Sequence, residues 1–152
     1  MNKLLSAFTL SLLLASGSAL AASNWSNSSS EKNADFVAAE ANIKAGDYEA
    51  AIVSLKKVAM AEPKNADAFN YLGYSHRKLG RFDEALGYYE KALAIDPEHL
   101  GANEYLGELY LQTSQLPKAE KQLSSLDGLC FFGCPEYREL KEKIAQFKAA
   151  GG

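Results

Sequence analysis

The chain repeats itself. At a spacing of 34 residues, Gly46, Tyr48, Ala51, Leu55 and Pro63 recur as Gly80, Phe82, Ala85, Tyr89 and Pro97. In the next copy Tyr71, Leu72, Gly73, Phe82, Ala85 and Tyr89 recur as Tyr105, Leu106, Gly107, Leu116, Ala119 and Leu123. A fixed period of this length marks units that bury their apolar faces on one another and stack into a helical solenoid. The clearest unit is residues 66–99. Phe69, Leu72, Gly73 and His76 fall at the 3–4 residue spacing of one helix face, and Phe82, Ala85, Leu86, Tyr89, Ala92 and Leu93 at that of a second. Gly80 supplies the left-handed residue that ends the first helix, and Pro97 forbids continuation of the second. Within the hairpin, Phe69, Tyr71 and Tyr89 are large where Gly73, Ala85 and Ala92 are small.

Leu72-Gly73, Gly80, Phe82, Ala85, Tyr89, Ala92 and Pro97 stand where the tetratricopeptide repeat pattern places such residues. The chain resembles that family from residue 32 to about 127. The resemblance implies an all-α fold, a right-handed superhelix (alpha-alpha solenoid) of three helix-turn-helix repeats. Their spans are about 32–65, 66–99 and 100–127. The first repeat departs from the pattern, with Ala38-Ala39 in place of the Leu-Gly pair, as suits a terminal unit. The third has Ser114 in place of the turn glycine. A Cys-containing loop, 128–134, leads to a C-terminal capping helix over 135–149. Pro135 and Glu136 open that helix; Tyr137, Leu140, Ile144 and Phe147 form its one apolar stripe.

Ahead of the repeats, Lys3 precedes an uncharged apolar run from Leu4 to Leu20, and Ala19-Leu20-Ala21 fits a small-x-small cleavage site. Residues 1–21 therefore read as a secretory signal peptide, and 22–32, rich in Ser and Asn, as a flexible lead-in. The expectation is an exported protein without a transmembrane segment in the mature chain, periplasmic in a Gram-negative host and secreted otherwise. The length, 152 residues, suits one domain over residues 33–149. A net charge of -3 with no basic patch argues against nucleic acid as a partner.

Cys130 and Cys134 are the only cysteines. In an exported chain two close thiols read as a disulfide that pins the loop and packs Phe131 or Phe132 under the last helix. A redox pair or a soft-metal site is the alternative, although a thioredoxin-type pair would have two residues between its cysteines. His76 reads as a satisfied packing residue, and His99 as the start of the next helix. No nucleophile–base grouping, metal constellation or phosphate loop is legible, so neither catalysis nor a cofactor is expected.

In proteins similar to this one, the first helices of successive hairpins line a concave surface that holds a peptide. Carried over by position, the groove takes Phe36, Glu40 and Lys44 from the first repeat. The second supplies Asp67, Asn70, Tyr74, Arg77 and Lys78, and the third Glu104, Glu108 and Gln112. Arg77 and Asn70 suit a carboxylate or backbone groups, and Phe36 and Tyr74 offer flat apolar area. Glu104 and Glu108 read as solvated surface, making the groove basic in the middle and acidic at one end. The family's carboxylate-clamp pattern is absent, because Phe36 and Glu40 stand where it has Lys and Asn. The expectation is a protein- or peptide-binding adaptor or assembly factor. A thiol-redox or metal-handling role for Cys130 and Cys134 is the alternative, and homo-oligomerisation is compatible with both.

Overall fold

Three turns of one design set the architecture. In each, a backbone N–H beyond the turn donates back across it to a carbonyl of the helix just ended. The bonds are Asp47 N to Asn42 O at 2.9 Å, Arg81 N to His76 O at 2.9 Å, and Gln115 N to Tyr110 O at 2.7 Å. Each closes because the residue before the donor is left-handed: Gly46 (φ 79°), Gly80 (φ 74°) and Ser114 (φ 57°). Ser114 adopts there a conformation that costs an ordinary residue about 1–2 kcal/mol. The third turn therefore keeps its shape without glycine.

The computed structural model describes residues 33–131 and 133–151, and every regular element among them is an α-helix. The elements are α1 (Ala34–Ala45), α2 (Tyr48–Ala61), α3 (Ala66–Lys78), α4 (Phe82–Ile95), α5 (Leu100–Gln112), α6 (Leu116–Leu129) and α7 (Pro135–Ala149). Hairpins α1–α2, α3–α4 and α5–α6 pack in sequence, and α7 closes against α5 and α6. The signal peptide and lead-in expected over 1–32 lie outside the described residues.

Side chains cap the first helix of each hairpin. Asn33 Oδ1 accepts from Asp35 N, and Asn65 Oδ1 from Ala68 N, both at 3.0 Å. At the third hairpin the cap is His99, whose Nδ1 accepts from Ala102 N at 3.1 Å. That leaves Nε2 as the protonated nitrogen, 3.1 Å from Asp67 Oδ1 on α3. One residue thus caps α5 and ties it to α3.

Two apolar clusters follow from this stacking. Phe36, Leu55, Val58, Phe69, Leu72 and Ala92 belong to one, and Tyr89, Leu106, Leu109, Leu126, Leu140 and Ile144 to the other. Gly73 and Gly107 permit the tightest approaches. A Cβ at Gly73 would come within 2.6 Å of the Tyr89 ring, and one at Gly107 within 2.5 Å of the Leu140 side chain.

Two expectations need correction here, and a third, the packing of Phe131 or Phe132 under α7, fails for Phe131 alone. Phe36 is buried, its ring centroid 5.7 Å from that of Tyr71, so it packs the core and is unavailable to a ligand. His76 is buried against Tyr88 with no hydrogen-bond partner on either ring nitrogen, and is therefore not satisfied. In the loop before α7 the Cys130 and Cys134 sulphurs are joined, with Cα atoms 5.5 Å apart. Phe131 between them is 92% exposed and packs under nothing, while Phe132 lies outside the described residues.

Candidate functional site

One cleft of about 230 Å³ opens where α3, α5 and α7 face each other. Tyr74, Arg77 and Lys78 come from α3, Glu104, Tyr105 and Glu108 from α5, and Glu139 and Lys143 from α7. Residues one turn apart on a helix share a face, which is why Arg77 joins Tyr74 and Glu108 joins Glu104.

Arg77 is the centre of the cleft. Its Nη1 lies 2.7 Å from Glu108 Oε2 and 3.4 Å from Gln112 Oε1, and its Nε donates to the Tyr89 hydroxyl at 3.3 Å. The guanidinium also sits 5.4 Å from the Tyr74 ring centroid and 5.7 Å from that of Tyr105. Burial opposes its charge, but the Tyr89 hydroxyl and Glu108 outweigh that and hold its pKa above the usual guanidinium value. Both partners of the Arg77–Glu108 pair are nearly withdrawn from water. Glu108 also accepts a hydrogen bond from Lys143. Such a pair fixes side chains in place, and breaking it would strand a buried charge.

Glu104 is in a different condition. It is 4% exposed, and its Oε1 has no hydrogen-bond partner. Lys143 Nζ approaches that oxygen only to 4.0 Å. Burial, then the charges of Glu108 and Glu139, push the Glu104 carboxyl up to about 8. Burial likewise raises Tyr74, and more strongly Tyr105.

Of the groove residues expected from sequence, Tyr74, Arg77, Lys78, Glu104 and Glu108 line this cleft, and Gln112 reaches it through Arg77. Arg77 is committed to Glu108 and does not present a free guanidinium to a carboxylate. Glu104 and Glu108 are buried, where solvated surface was expected. Asn70 is buried as well, with Oδ1 unpartnered. Asp67 lines a separate cleft of about 630 Å³ with His99, Asp96 and Glu62. On α1, Lys44 is exposed and Glu40 half-buried, and neither lines the α3–α5–α7 cleft. Cys130 and Cys134 are likewise outside that lining. No group of three or more His, Cys, Asp or Glu among the described residues is arranged to hold a metal ion.

Two stretches, 36–65 and 66–99, each match the tetratricopeptide repeat family. The chain is a tetratricopeptide repeat protein. Among curated relatives, an uncharacterised ycf37 protein of Guillardia theta is 36% identical over 55 residues, covering 36% of this chain and 31% of the relative. The CTR9 homolog of Arabidopsis thaliana is 30% identical over 78 residues, covering 51% of this chain and 7% of the relative. The chain thus spans less than a third of the length of either. Solved structures reproduce the fold. The TPR2B domain of yeast Sti1 in a pHsp70 complex superposes with a TM-score of 0.70 at 15% identity, covering 76% of this chain and 94% of that one. The Yersinia enterocolitica secretion chaperone SycD, bound to a peptide of the translocator YopD, gives 0.65 at 22% identity, covering 76% and 88%. The second TPR domain of human RPAP3, in complex with an HSP70 peptide, gives 0.65 at 20% identity, covering 73% and 92%.

Sequence reasoning missed Tyr105, Glu139 and Lys143. The tetratricopeptide repeat period contains the signal for two of them. Carried on by 34 residues, Leu72 and Leu106 fall on Leu140, and Tyr71 and Tyr105 fall on Glu139. All three leucines are buried, at 1%, 3% and 0% exposure. Helix α7 thus continues the register as the first helix of a fourth unit, and a first helix contributes to the groove.

Proposed function

We propose that this chain is a non-catalytic adaptor or assembly factor that binds a protein or peptide segment in the α3–α5–α7 cleft. The observation that carries the reading is the cleft itself. Its floor is held by the Arg77–Glu108–Lys143 network, and its mouth offers the half-buried ring of Tyr74 and the exposed Lys78. A rigid polar floor with aromatic area beside it orients a ligand at low entropic cost. Tetratricopeptide repeat domains of the same fold hold an HSP70 peptide in human RPAP3 and a YopD peptide in SycD, which supports a peptide as the occupant here.

The place of action we propose is the cell envelope: the periplasm of a Gram-negative cell, or the exterior otherwise. The support is the signal-peptide pattern of residues 1–21, together with a Cys130–Cys134 bridge that an oxidising compartment would maintain. No helix among the described residues is long and apolar enough to cross a membrane.

The test is affinity capture from an envelope extract with three baits: the wild type, Tyr74→Ala/Lys78→Glu, and Lys121→Glu. Lys121 is exposed on α6, away from the cleft, and carries the same charge reversal. A partner held by the wild type and by Lys121→Glu but lost by the double variant supports the reading, provided the double variant melts cooperatively. Equal capture by all three baits would place function elsewhere.

A further inference from the structure

We propose that the Glu104–Glu139 end of the cleft is a subsite for a cationic side chain, lysine or arginine, carried by the bound segment. The proposal rests on the groove reading above and gives it a ligand chemistry. Its basis is an imbalance of partners inside the cleft. Glu104 is withdrawn from water and lines the cleft, yet its Oε1 accepts no hydrogen bond. A buried carboxylate oxygen without a donor carries a desolvation cost that an incoming cation would remove.

The cations already present are engaged elsewhere. On α3, Arg77 is bound to Glu108, Gln112 and Tyr89. Lys78 on the same helix leans over the Tyr48 and Tyr74 rings, 5.9 and 6.0 Å from their centroids. On α7, Lys143 is hydrogen-bonded to Glu108 and stays 4.0 Å from Glu104. What else faces Glu104 is Glu108 on its own helix and Glu139 from α7. Both charges disfavour its negative form, and a side-chain hydrogen bond with Glu139 favours its protonated one, while Oε1 itself is left without a partner. The Tyr74 and Tyr105 rings, 5.0 Å apart, wall the cleft beside Glu104 and hold Arg77 over their faces, which keeps that guanidinium from turning to Glu104.

With the cleft vacant, the group that relieves this imbalance is a proton on Glu104, consistent with its raised pKa. Cation and proton then compete for the same carboxylate. Binding of an ammonium releases one proton, and affinity for it rises with pH up to about 8, by no more than tenfold per unit.

The experiment is carboxyl carbon-13 NMR of the protein across pH 5–10, with the Glu104 resonance assigned by its disappearance in Glu104→Gln. The probe is n-butylammonium chloride, which has the head group of a lysine side chain, against sodium chloride at equal ionic strength. The expected result is a Glu104 midpoint well above the ordinary carboxylate range in sodium chloride. Butylammonium should lower it by about half a unit or more. In Glu139→Gln, an exposed position that does not endanger folding, the butylammonium effect should shrink. A midpoint equal in the two salts, or one in the ordinary range, overturns the subsite. Because this titration needs no partner, it fails independently of the capture experiment: partner capture that survives alongside an inert Glu104 would remove only the cationic subsite.

Discussion

Gly73 and Gly107 occupy the same position in successive units, yet different elements cover them. Over Gly73 lies Tyr89, the ring of its own hairpin. One period later Tyr89 becomes Leu123, too short to span the gap, and Leu140 of α7 fills the space over Gly107 instead. The second hairpin therefore covers its own glycine, while the third borrows that cover from the helix beyond it. The borrowing has a functional consequence, because the residue before Leu140 is Glu139 and the residue three beyond it is Lys143. Packing α7 onto Gly107 is what brings those two side chains to the cleft.

The comparison breaks most visibly at Leu140. Leu140→Ala should cost about 2–5 kcal/mol in denaturant unfolding, since it empties a fully buried site. It should also loosen α7 preferentially, seen as faster amide exchange in α7 than in α3. Uniform loss of protection would instead mean that α7 and the second hairpin unfold as one unit.

Adding a methyl sharpens the same contrast. Gly73→Ala drives a Cβ into the rigid Tyr89 ring at 2.6 Å, and overpacking of that kind costs about 1–3 kcal/mol. The gain in helix propensity, about 0.5–1 kcal/mol, does not offset it fully. Gly107→Ala meets both Cδ atoms of Leu140, at 2.5 and 2.8 Å, and its Cγ at 3.2 Å. A branched chain can shift its rotamer where a ring cannot, so the net effect should be smaller than that of Gly73→Ala. Melting temperatures in the reverse order would contradict the idea that ring and branched-chain contacts differ in stiffness.

The smallest effect lies at His76, in the second hairpin. Burial holds its pKa below the ordinary histidine value, so the native state binds fewer protons there than the unfolded chain. Its contribution to stability is intact above pH 6.5 and is lost as pH falls from there through the native-state value. His76→Phe, which keeps a ring against Tyr88 and removes the titration, should flatten the stability profile between pH 5 and 7. A profile as steep as that of the wild type would exonerate His76.

Much of this fold could be read in advance because the repeat states it several times over. The 34-residue spacing of Gly46, Gly80 and Ser114 marks three turns of one shape, and the alternation of Gly73 with Tyr89 marks the packing between helices. The site was less legible, for two physical reasons. Periodicity says which face of a helix points inward but not how deeply a charge sits there. Glu104 and Glu108 therefore looked like solvated surface until α7 was placed over them. Helix α7 itself looked like a separate cap, because the Cys130–Cys134 loop interrupts the sequence just before the register resumes at Leu140. His99 shows the same limit on a smaller scale. Its position at a helix start was readable, but its simultaneous bond to Asp67 was not.

The central claim, that a partner segment lies in the α3–α5–α7 cleft, is tested most directly by photo-crosslinking. A benzophenone amino acid would replace Lys78 at the mouth of the cleft or, in a second protein, Val53, which is 60% exposed on α2. Irradiation in an envelope extract should yield a discrete adduct from position 78 that position 53 does not form. Adducts that are identical from the two positions, or that arise from position 53 alone, would contradict the account.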